Sequence, residues 1–196
     1  MATHDYDVVV IGAGIGGLYA THRLRNEFGL SVHGYERARD VGGVWLWNCY
    51  PGARVDMEAK DYAYRFSPEL RQEWQWSELF PAQPEILSYL GHVADRFDLR
   101  RDFTFNTSVT SLTWDAGSAI WIVNTSDGNT TRARFIIAAP GSMSAPKQPE
   151  FPVTAATTIK TMKVRSQFVL LWGTFHQINV NKATHRNSTT SRQLPL

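Results

Sequence analysis

The first 35 residues show the hydrophobic pattern of a strand, a helix and a second strand. Residues 6–11 (YDVVVI) form a β-branched, apolar run, which is typical of a strand buried on both faces of a parallel sheet. Apolar residues then recur at near-helical spacing from Leu18 to Phe28, and Gly29 offers a natural end for this helix. Residues 30–35 are expected to form a second strand. The pattern therefore predicts a β-α-β unit of about 30 residues.

The following hundred or so residues predict one further helix and four further strands. No clear periodicity is present from residue 38 to residue 65, and a long irregular segment within a domain is more often functional than idle. Gln83 then opens a strongly amphipathic helix that extends to Phe97. The last strand contains FIIAA and is expected to be buried. The four strand-like runs are residues 103–106, 109–114, 119–125 and 131–138. The fold class predicted is α/β, a Rossmann-like parallel sheet with a β-meander.

Charge divides the chain at residue 150. The chain has 196 residues, a formal net charge of +2 and 43% apolar residues, which suits one ordinary domain. All 18 acidic residues lie in residues 1–150, whereas residues 151–196 contain six Lys or Arg and no acid. We therefore predict a folded domain over residues 1–150 and a poorly ordered tail over residues 151–196. Because the basic excess lies in the tail, nucleic acid is not expected as a partner.

Neither a disulfide scaffold nor a membrane span is expected. The single cysteine, Cys49, cannot form an internal disulfide, which favours a reducing, cytoplasmic location. The longest apolar stretch, residues 8–20, has 13 residues and four glycines, so it is too short and too glycine-rich to span a bilayer. The six histidines show no metal-ligand spacing, and no metal site is predicted.

The glycines after the first strand carry the first chemical signal. Gly12, Gly14 and Gly17 have the spacing G-x-G-x-x-G between a strand and a helix, and Glu36 ends the second strand 19 residues after Gly17. Here Gly12 permits a tight turn, Gly14 lets a pyrophosphate approach the backbone, and Gly17 allows the helix to pack closely on the strand. The Glu36 carboxylate would accept hydrogen bonds from adenosine ribose hydroxyls and would disfavour a 2′-phosphate. The motif predicts a dinucleotide site that selects against NADP.

A second glycine turn favours FAD over NAD as the dinucleotide. Residues 40–45 (DVGGVW) follow the second strand closely, whereas a simple dehydrogenase would continue into its third strand through a helix. A small NAD-dependent reductase is also disfavoured because no Tyr-x-x-x-Lys group follows the first glycine motif. Tyr62 and Tyr64 do not have that spacing.

Two long stretches resemble a known enzyme family. Residues 42–70 (GGVWLWNCYPGARVDMEAKDYAYRFSPEL) and residues 72–100 (QEWQWSELFPAQPEILSYLGHVADRFDLR) are similar to the FAD domain of the type I Baeyer–Villiger monooxygenases. The resemblance extends from residue 6 to about residue 150. It implies an enzyme that uses NADPH to reduce FAD and dioxygen to form a flavin peroxide. The peroxide would insert oxygen beside the carbonyl of a small-molecule ketone and give an ester or lactone.

The resemblance also assigns roles to individual residues. It implies that Asp56 is catalytic, because a carboxylate near the flavin can hold an arginine that stabilises developing negative charge. The arginine that the family uses lies outside this sequence. The same resemblance puts Glu36 on the FAD ribose, Val44, Trp45, Leu46 and Trp47 along FAD, Asp56, Tyr62 and Val109 at the flavin or its linker, and Arg54, Val55 and Asp56 towards NADPH.

The sequence also departs from the family pattern. Family members continue into a second G-x-G-x-x-G domain for NADPH, and residues 151–196 contain no such motif. We therefore expect a truncated form of a two-dinucleotide-domain flavoprotein. The competence of this chain alone stays open, and the alternative function is a non-catalytic FAD-binding remnant.

Overall fold

The computed structural model describes residues 3–143. The first strand, the first helix and the long amphipathic helix confirm the sequence predictions, and two helices of four residues each lie within the long irregular segment. The strands are β1 (Tyr6–Ile11), β2 (Val32–Tyr35), β3 (Phe103–Thr104), β4 (Val109–Asp115), β5 (Ile120–Thr125) and β6 (Thr130–Ala138), and the helices are α1 (Ile15–Asn26), α2 (Val44–Trp47), α3 (Ala59–Tyr62), α4 (Pro68–Glu73) and α5 (Gln83–Arg96).

All six strands form one mixed sheet in the order β3-β2-β1-β6-β5-β4. β1 pairs in parallel with both β2 and β6, and β2 pairs in parallel with β3. β5 pairs antiparallel with both β4 and β6. The strands β3, β2, β1 and β6 form a parallel, Rossmann-like part of the sheet, and β4, β5 and β6 form a β-meander. This arrangement confirms the predicted fold class.

The carboxyl ends of three parallel strands meet at one edge of the sheet. Gly12 follows β1, Glu36 follows β2 and Ala139 follows β6. The Gly12 N–H donates to the Tyr35 carbonyl oxygen at 2.8 Å, and the Ala139 N–H donates to the Ile11 carbonyl oxygen at 2.9 Å. In open α/β sheets this edge is where ligands bind.

Two hydrophobic clusters cover the two faces of β1. Val8 and Val10 belong to the larger cluster, which contains the buried face of α5. Val9 and Ile11 belong to the smaller cluster together with Val123 of β5. Because successive side chains of a strand point to opposite faces, a continuous apolar run fills both clusters.

One expectation about burial is wrong. The sequence FIIAA in β6 was expected to be a buried strand, but the Phe135 side chain is 52% exposed and Ile136 and Ile137 are only partly buried. β5 pairs with β6 only from Thr130 to Ala133, so the second half of β6 has β1 as its neighbour within the described residues. An apolar strand sequence does not by itself determine what packs against the strand.

The tail predicted for residues 151–196 lies outside the described residues. Within residues 3–143 the longest helix has 14 residues, and no helix there could cross a membrane.

Candidate dinucleotide site

The first glycine turn is closed by contacts that leave no room for side chains at two of its positions. Gly12 has φ +98°, and a Cβ on it would lie 2.4 Å from the Ala139 carbonyl oxygen. A Cβ on Gly17 would lie 1.8 Å from the Gly12 carbonyl oxygen. These contacts agree with a tight turn at Gly12 and with close packing of α1 on the sheet at Gly17.

Gly14 differs from these two glycines because the fold leaves space at its position. Its φ is −81°, and an added Cβ would approach the Gly43 Cα at 3.4 Å, near ordinary van der Waals distance. Gly14 is also the N-cap of α1, where no side chain caps the helix and the first turn contains no acid. The helix end therefore offers backbone N–H groups and a partial positive charge, which fits a pyrophosphate.

The second glycine turn lies directly against the first. The Gly42 N–H donates to the Ala13 carbonyl oxygen at 3.0 Å. A Cβ on Gly43, which has φ +53°, would lie 2.8 Å from the Gly14 Cα. The two turns thus meet backbone to backbone and form one continuous surface around Gly14.

Glu36 is 5% exposed, and its carboxylate is hydrogen-bonded to the backbone after β1 and to the backbone after β2. Oε2 accepts a hydrogen bond from the Ala13 N–H at 2.6 Å, and Oε1 accepts one from the Ala38 N–H at 2.7 Å. A carboxylate oxygen can accept more than one hydrogen bond, so these contacts leave acceptor capacity for ribose hydroxyls. Glu36 therefore also fixes the turn that contains Gly12 and Gly14, a role that the motif alone did not reveal.

Helix α2 directs its aromatic residues to different environments. Trp45 is buried, and its Nε1–H donates to the Tyr62 hydroxyl. Gln83 at the start of α5 donates from Nε2 to the Trp45 carbonyl oxygen at 2.5 Å. Trp47 is 54% exposed, and Val44 and Leu46 are partly buried.

Tyr62 lies between this helix and the segment that contains Asp56. Burial, together with the negative charge of Asp56, raises the pKa of Tyr62 to about 12, against the opposite effect of the hydrogen bond from Trp45. The phenol therefore stays protonated near neutral pH.

Of the three residues expected to face NADPH, two have exposed side chains and one is buried. Val55 is buried, whereas Arg54 and Asp56 are exposed. The Arg54 Nη1 lies 3.0 Å from the Glu78 Oε2, and both side chains are about half exposed. Arg54 thus has an ion-pair partner that the sequence did not indicate.

Val109 begins β4 and packs against the smaller cluster with Val9 and Ile11. Just before it, the Thr107 N–H donates to the Glu36 carbonyl oxygen at 2.9 Å. Val109 therefore lies two residues along the chain from Thr107, which is hydrogen-bonded to Glu36.

Two site contacts were missed by sequence reasoning because their partners are distant in the chain. Gln83 was recognised only as a helix start, and nothing in its local pattern indicates its bond to Trp45. Arg100 bonds Asp40, 60 residues earlier, beside the second glycine turn. The only available signal was an Asp two residues before the pair Gly42 and Gly43.

Known proteins are similar to this chain in sequence and in fold. The profile of the NAD(P)-binding Rossmann-like domain family matches residues 10–72. A Baeyer–Villiger monooxygenase from Pseudooceanicola batsensis is 48% identical over 147 residues, which are 75% of this chain and 27% of the relative. Acetone monooxygenase (methyl acetate-forming) from Gordonia sp. strain TY-5 is 47% identical over 152 residues, 78% of this chain and 28% of the relative.

A solved structure agrees with these relatives. The crystal structure of cyclohexanone monooxygenase from Rhodococcus sp. Phi1 bound to NADP+ superposes with a TM-score of 0.73 at 47% identity, over 75% of this chain and 28% of that chain. The chain thus spans a little over a quarter of the length of the relatives it matches. On the combined evidence of glycine motif, sheet order and sequence identity, the chain is similar to the FAD-domain portion of the Baeyer–Villiger monooxygenases.

Proposed function

We propose that the two glycine turns and Glu36 bind the ADP half of FAD, and that the protein is an FAD- and NADPH-dependent monooxygenase of Baeyer–Villiger type. Its substrates would be a small-molecule ketone and dioxygen, and its product an ester or lactone. The observation that carries the proposal is that the uncapped start of α1 meets the second glycine turn at Gly14, where an added Cβ would make van der Waals contact with Gly43 without a clash.

Each part of this site has a physical task. The N–H groups at the start of α1 bind the pyrophosphate, and Gly14 lets it approach the backbone. Glu36 holds the turn through Ala13 and accepts from the adenosine ribose hydroxyls with its remaining lone pairs. A 2′-phosphate would bring negative charge against this buried carboxylate, so NADP is disfavoured at this first site.

The other end of the site carries the residues proposed to act near the flavin. The buried Trp45 and the partly buried Tyr62 form a hydrogen-bonded pair at this end, and the protonated Tyr62 hydroxyl keeps a hydrogen to donate. Asp56 is exposed, its charge contributes to the raised pKa of Tyr62, and it is proposed as the catalytic carboxylate that orients a cationic side chain. When bound, FAD supplies the redox chemistry that takes electrons from NADPH and passes them to dioxygen.

The relatives support the substrate class and cofactors. One is named for acetone and forms methyl acetate, and one is named for cyclohexanone and is bound to NADP+. Cys49 is exposed and has no disulfide partner among residues 3–143, which fits the proposed cytoplasmic location.

Binding of FAD by the 196-residue chain is the direct test. We expect the purified chain to retain visible flavin absorbance after gel filtration, and ADP to compete with FAD. FMN lacks the adenosine half and should not compete, and 2′,5′-ADP should compete poorly because of Glu36. Gly14→Val should abolish retention. Equal flavin retention by wild type and Gly14→Val, or competition by FMN alone, would contradict the site.

Oxygenation needs a second experiment. The 196-residue chain, with one glycine dinucleotide motif, is not expected to convert cyclohexanone with NADPH and air. Residues 3–143 should instead replace the matching segment of the Rhodococcus cyclohexanone monooxygenase, with the unaltered enzyme as control. Lactone formation by the chimera, and its loss in Asp56→Ala, would support the enzymatic function. A chimera that binds FAD but forms no lactone would favour the non-catalytic remnant.

A further inference from the structure

Arg100 connects the end of α5 to the second glycine turn. Its Nε donates to the Asp40 Oδ1 at 2.8 Å, and its Nη2 lies 3.4 Å from the Asp40 Oδ2. Its Nη1 donates to the Asp95 carboxylate and lies 3.4 Å from the Gly91 carbonyl oxygen. One guanidinium therefore joins helix α5 to the residue that opens the DVGG sequence, with the fork geometry that suits arginine better than lysine.

Asp40 connects Arg100 to the segment that contains Gly42 and Gly43. Its Oδ1 also accepts from the Val41 N–H at 2.7 Å, and the Val41 side chain is buried in the larger cluster. The next residue, Gly42, has φ +126° and donates its N–H to the Ala13 carbonyl oxygen at 3.0 Å. A continuous series of hydrogen bonds and adjacent residues thus runs from Arg100 to the first glycine turn.

The charges of Arg100 and Asp40 favour the hydrogen bonds between them. Partial burial by itself would raise the pKa of Asp40, but the hydrogen bonds from Arg100 and from Val41 outweigh it and hold that pKa below its usual range. The hydrogen bond to Asp40 raises the pKa of Arg100, against the opposing effect of burial. Both groups are therefore charged at neutral pH.

Arg100 differs from the adjacent Arg101 in its exposure and in its ion-pair partner. The Arg100 side chain is 32% exposed and reaches across to Asp40, whereas Arg101 is 61% exposed and pairs locally with Asp98. Arg101 therefore provides a matched control with the same charge and an adjacent position.

We propose that Arg100 is a positioning residue for the dinucleotide site: through Asp40 it holds Gly42 and Gly43 against the first glycine turn, and so sets the affinity for the dinucleotide. The inference rests on the proposed function, in which both turns line the FAD site. Ligand-binding loops depend on such supporting contacts because small displacements of the backbone weaken every bond to the ligand.

Two readouts test this role on the full 196-residue chain. In Arg100→Gln, Asp40→Asn and the double variant, FAD dissociation constants measured well below the melting temperature should each rise by about tenfold, without adding in the double variant. Arg101→Gln should stay within about twofold of wild type. Arg100→Lys should recover part of the loss because it keeps a single charged bond to Asp40.

The second readout does not depend on the ligand. Amide hydrogen exchange at Gly42 should accelerate in Arg100→Gln and Asp40→Asn but not in Arg101→Gln. Unchanged FAD affinity together with unchanged Gly42 exchange in Arg100→Gln would overturn the proposal. So would faster exchange with wild-type FAD affinity, because the contact would then be structural only. If the wild-type chain fails to bind FAD, the proposed function fails, and Gly42 exchange still decides whether Arg100 holds the turn.

Discussion

The two ends of the dinucleotide site are built in different ways. At Gly12, Gly17 and Gly43, which surround Gly14, an added Cβ would clash with neighbouring backbone. The buried Glu36 carboxylate is hydrogen-bonded to the N–H groups of Ala13 and Ala38. Around Asp56, the chain presents exposed side chains, including Trp47 and the half-exposed ion pair of Arg54. The proposed adenosine end is therefore determined by contacts within this chain, whereas the proposed flavin end includes several exposed side chains beside the buried Trp45 and Val55.

Substitutions should therefore have different effects at the two ends. At Gly12, Gly17 and Gly43 of the proposed adenosine end, an added methyl group would clash with backbone atoms, so geometry dominates there. At the flavin end, solvent screens the charges and side chains can rearrange, so single contacts contribute little to stability. The predictions below test that contrast.

Gly17→Ala should have the largest effect. A Cβ there would lie 1.8 Å from the Gly12 carbonyl oxygen, and we expect a loss of at least about 3 kcal/mol in unfolding free energy. Gly16→Ala is the matched control, since its Cβ would meet only the Ala139 Cβ at 3.9 Å and alanine favours a helix. Urea unfolding measures both variants. Equal stabilities would show that the first turn is not sterically closed.

Gly14→Ala should separate ligand binding from folding. Its Cβ finds room at 3.4 Å from the Gly43 Cα, so the melting temperature should change little. The same methyl group would occupy the space proposed for the pyrophosphate, and FAD affinity should fall by about tenfold or more. Fluorescence titration and thermal unfolding check the two expectations. A variant that loses stability but keeps its FAD affinity would reverse this interpretation.

Asp7→Asn tests the amino end of the parallel strands, opposite the glycine turns. There, hydrogen bonds to a charged carboxylate connect the strands. Asp7 accepts hydrogen bonds from the Ser31 hydroxyl and N–H and from the Arg134 guanidinium, and these hold the pKa of Asp7 well below its usual range. A lowered folded-state pKa stabilises the fold above the unfolded pKa of about 4, and this stabilisation is lost as pH falls further.

The variant should therefore be less stable than wild type by about 1–2 kcal/mol at pH 7. The difference should shrink steadily below pH about 4. Chemical unfolding at several pH values measures it. A difference that is constant from pH 7 to pH 3 would assign the effect to packing and not to the charge of Asp7.

Arg54→Ala should have the smallest effect. Its ion pair with Glu78 is about half exposed, so the loss should stay below about 0.5 kcal/mol and should vanish in high salt. FAD affinity of the chain should be unchanged. A double-mutant cycle with Glu78→Ala measures the coupling. A loss comparable to that of Asp7→Asn would mean that the flavin end is as firmly built as the adenosine end.

Local signals accounted for most of the fold. The apolar run of β1 and the 3.6-residue period of α5 each reflect burial along one element, so sequence alone predicted them. The exposure of Phe135 could not be predicted, because burial of a strand depends on which other elements pack on it.

The site divides in the same way. Gly12, Gly14, Gly17 and Glu36 follow a spacing that encodes their geometry, and the resemblance added the residues of α2 and its surroundings. The contact between Gly43 and Gly14, and the bond from Arg100 to Asp40, join residues far apart in the chain and leave no periodic trace. Their discovery required the three-dimensional arrangement.

The two backbone bonds of Glu36 also limit how this scaffold can be redesigned. A common design aim is to change the preferred nucleotide by replacing the acidic residue at this strand end with a neutral or basic one. Here such a change would leave the buried N–H groups of Ala13 and Ala38 without acceptors, at a cost of about 1–3 kcal/mol for each group. An altered nucleotide preference would therefore require a second substitution that supplies a new acceptor to the turn.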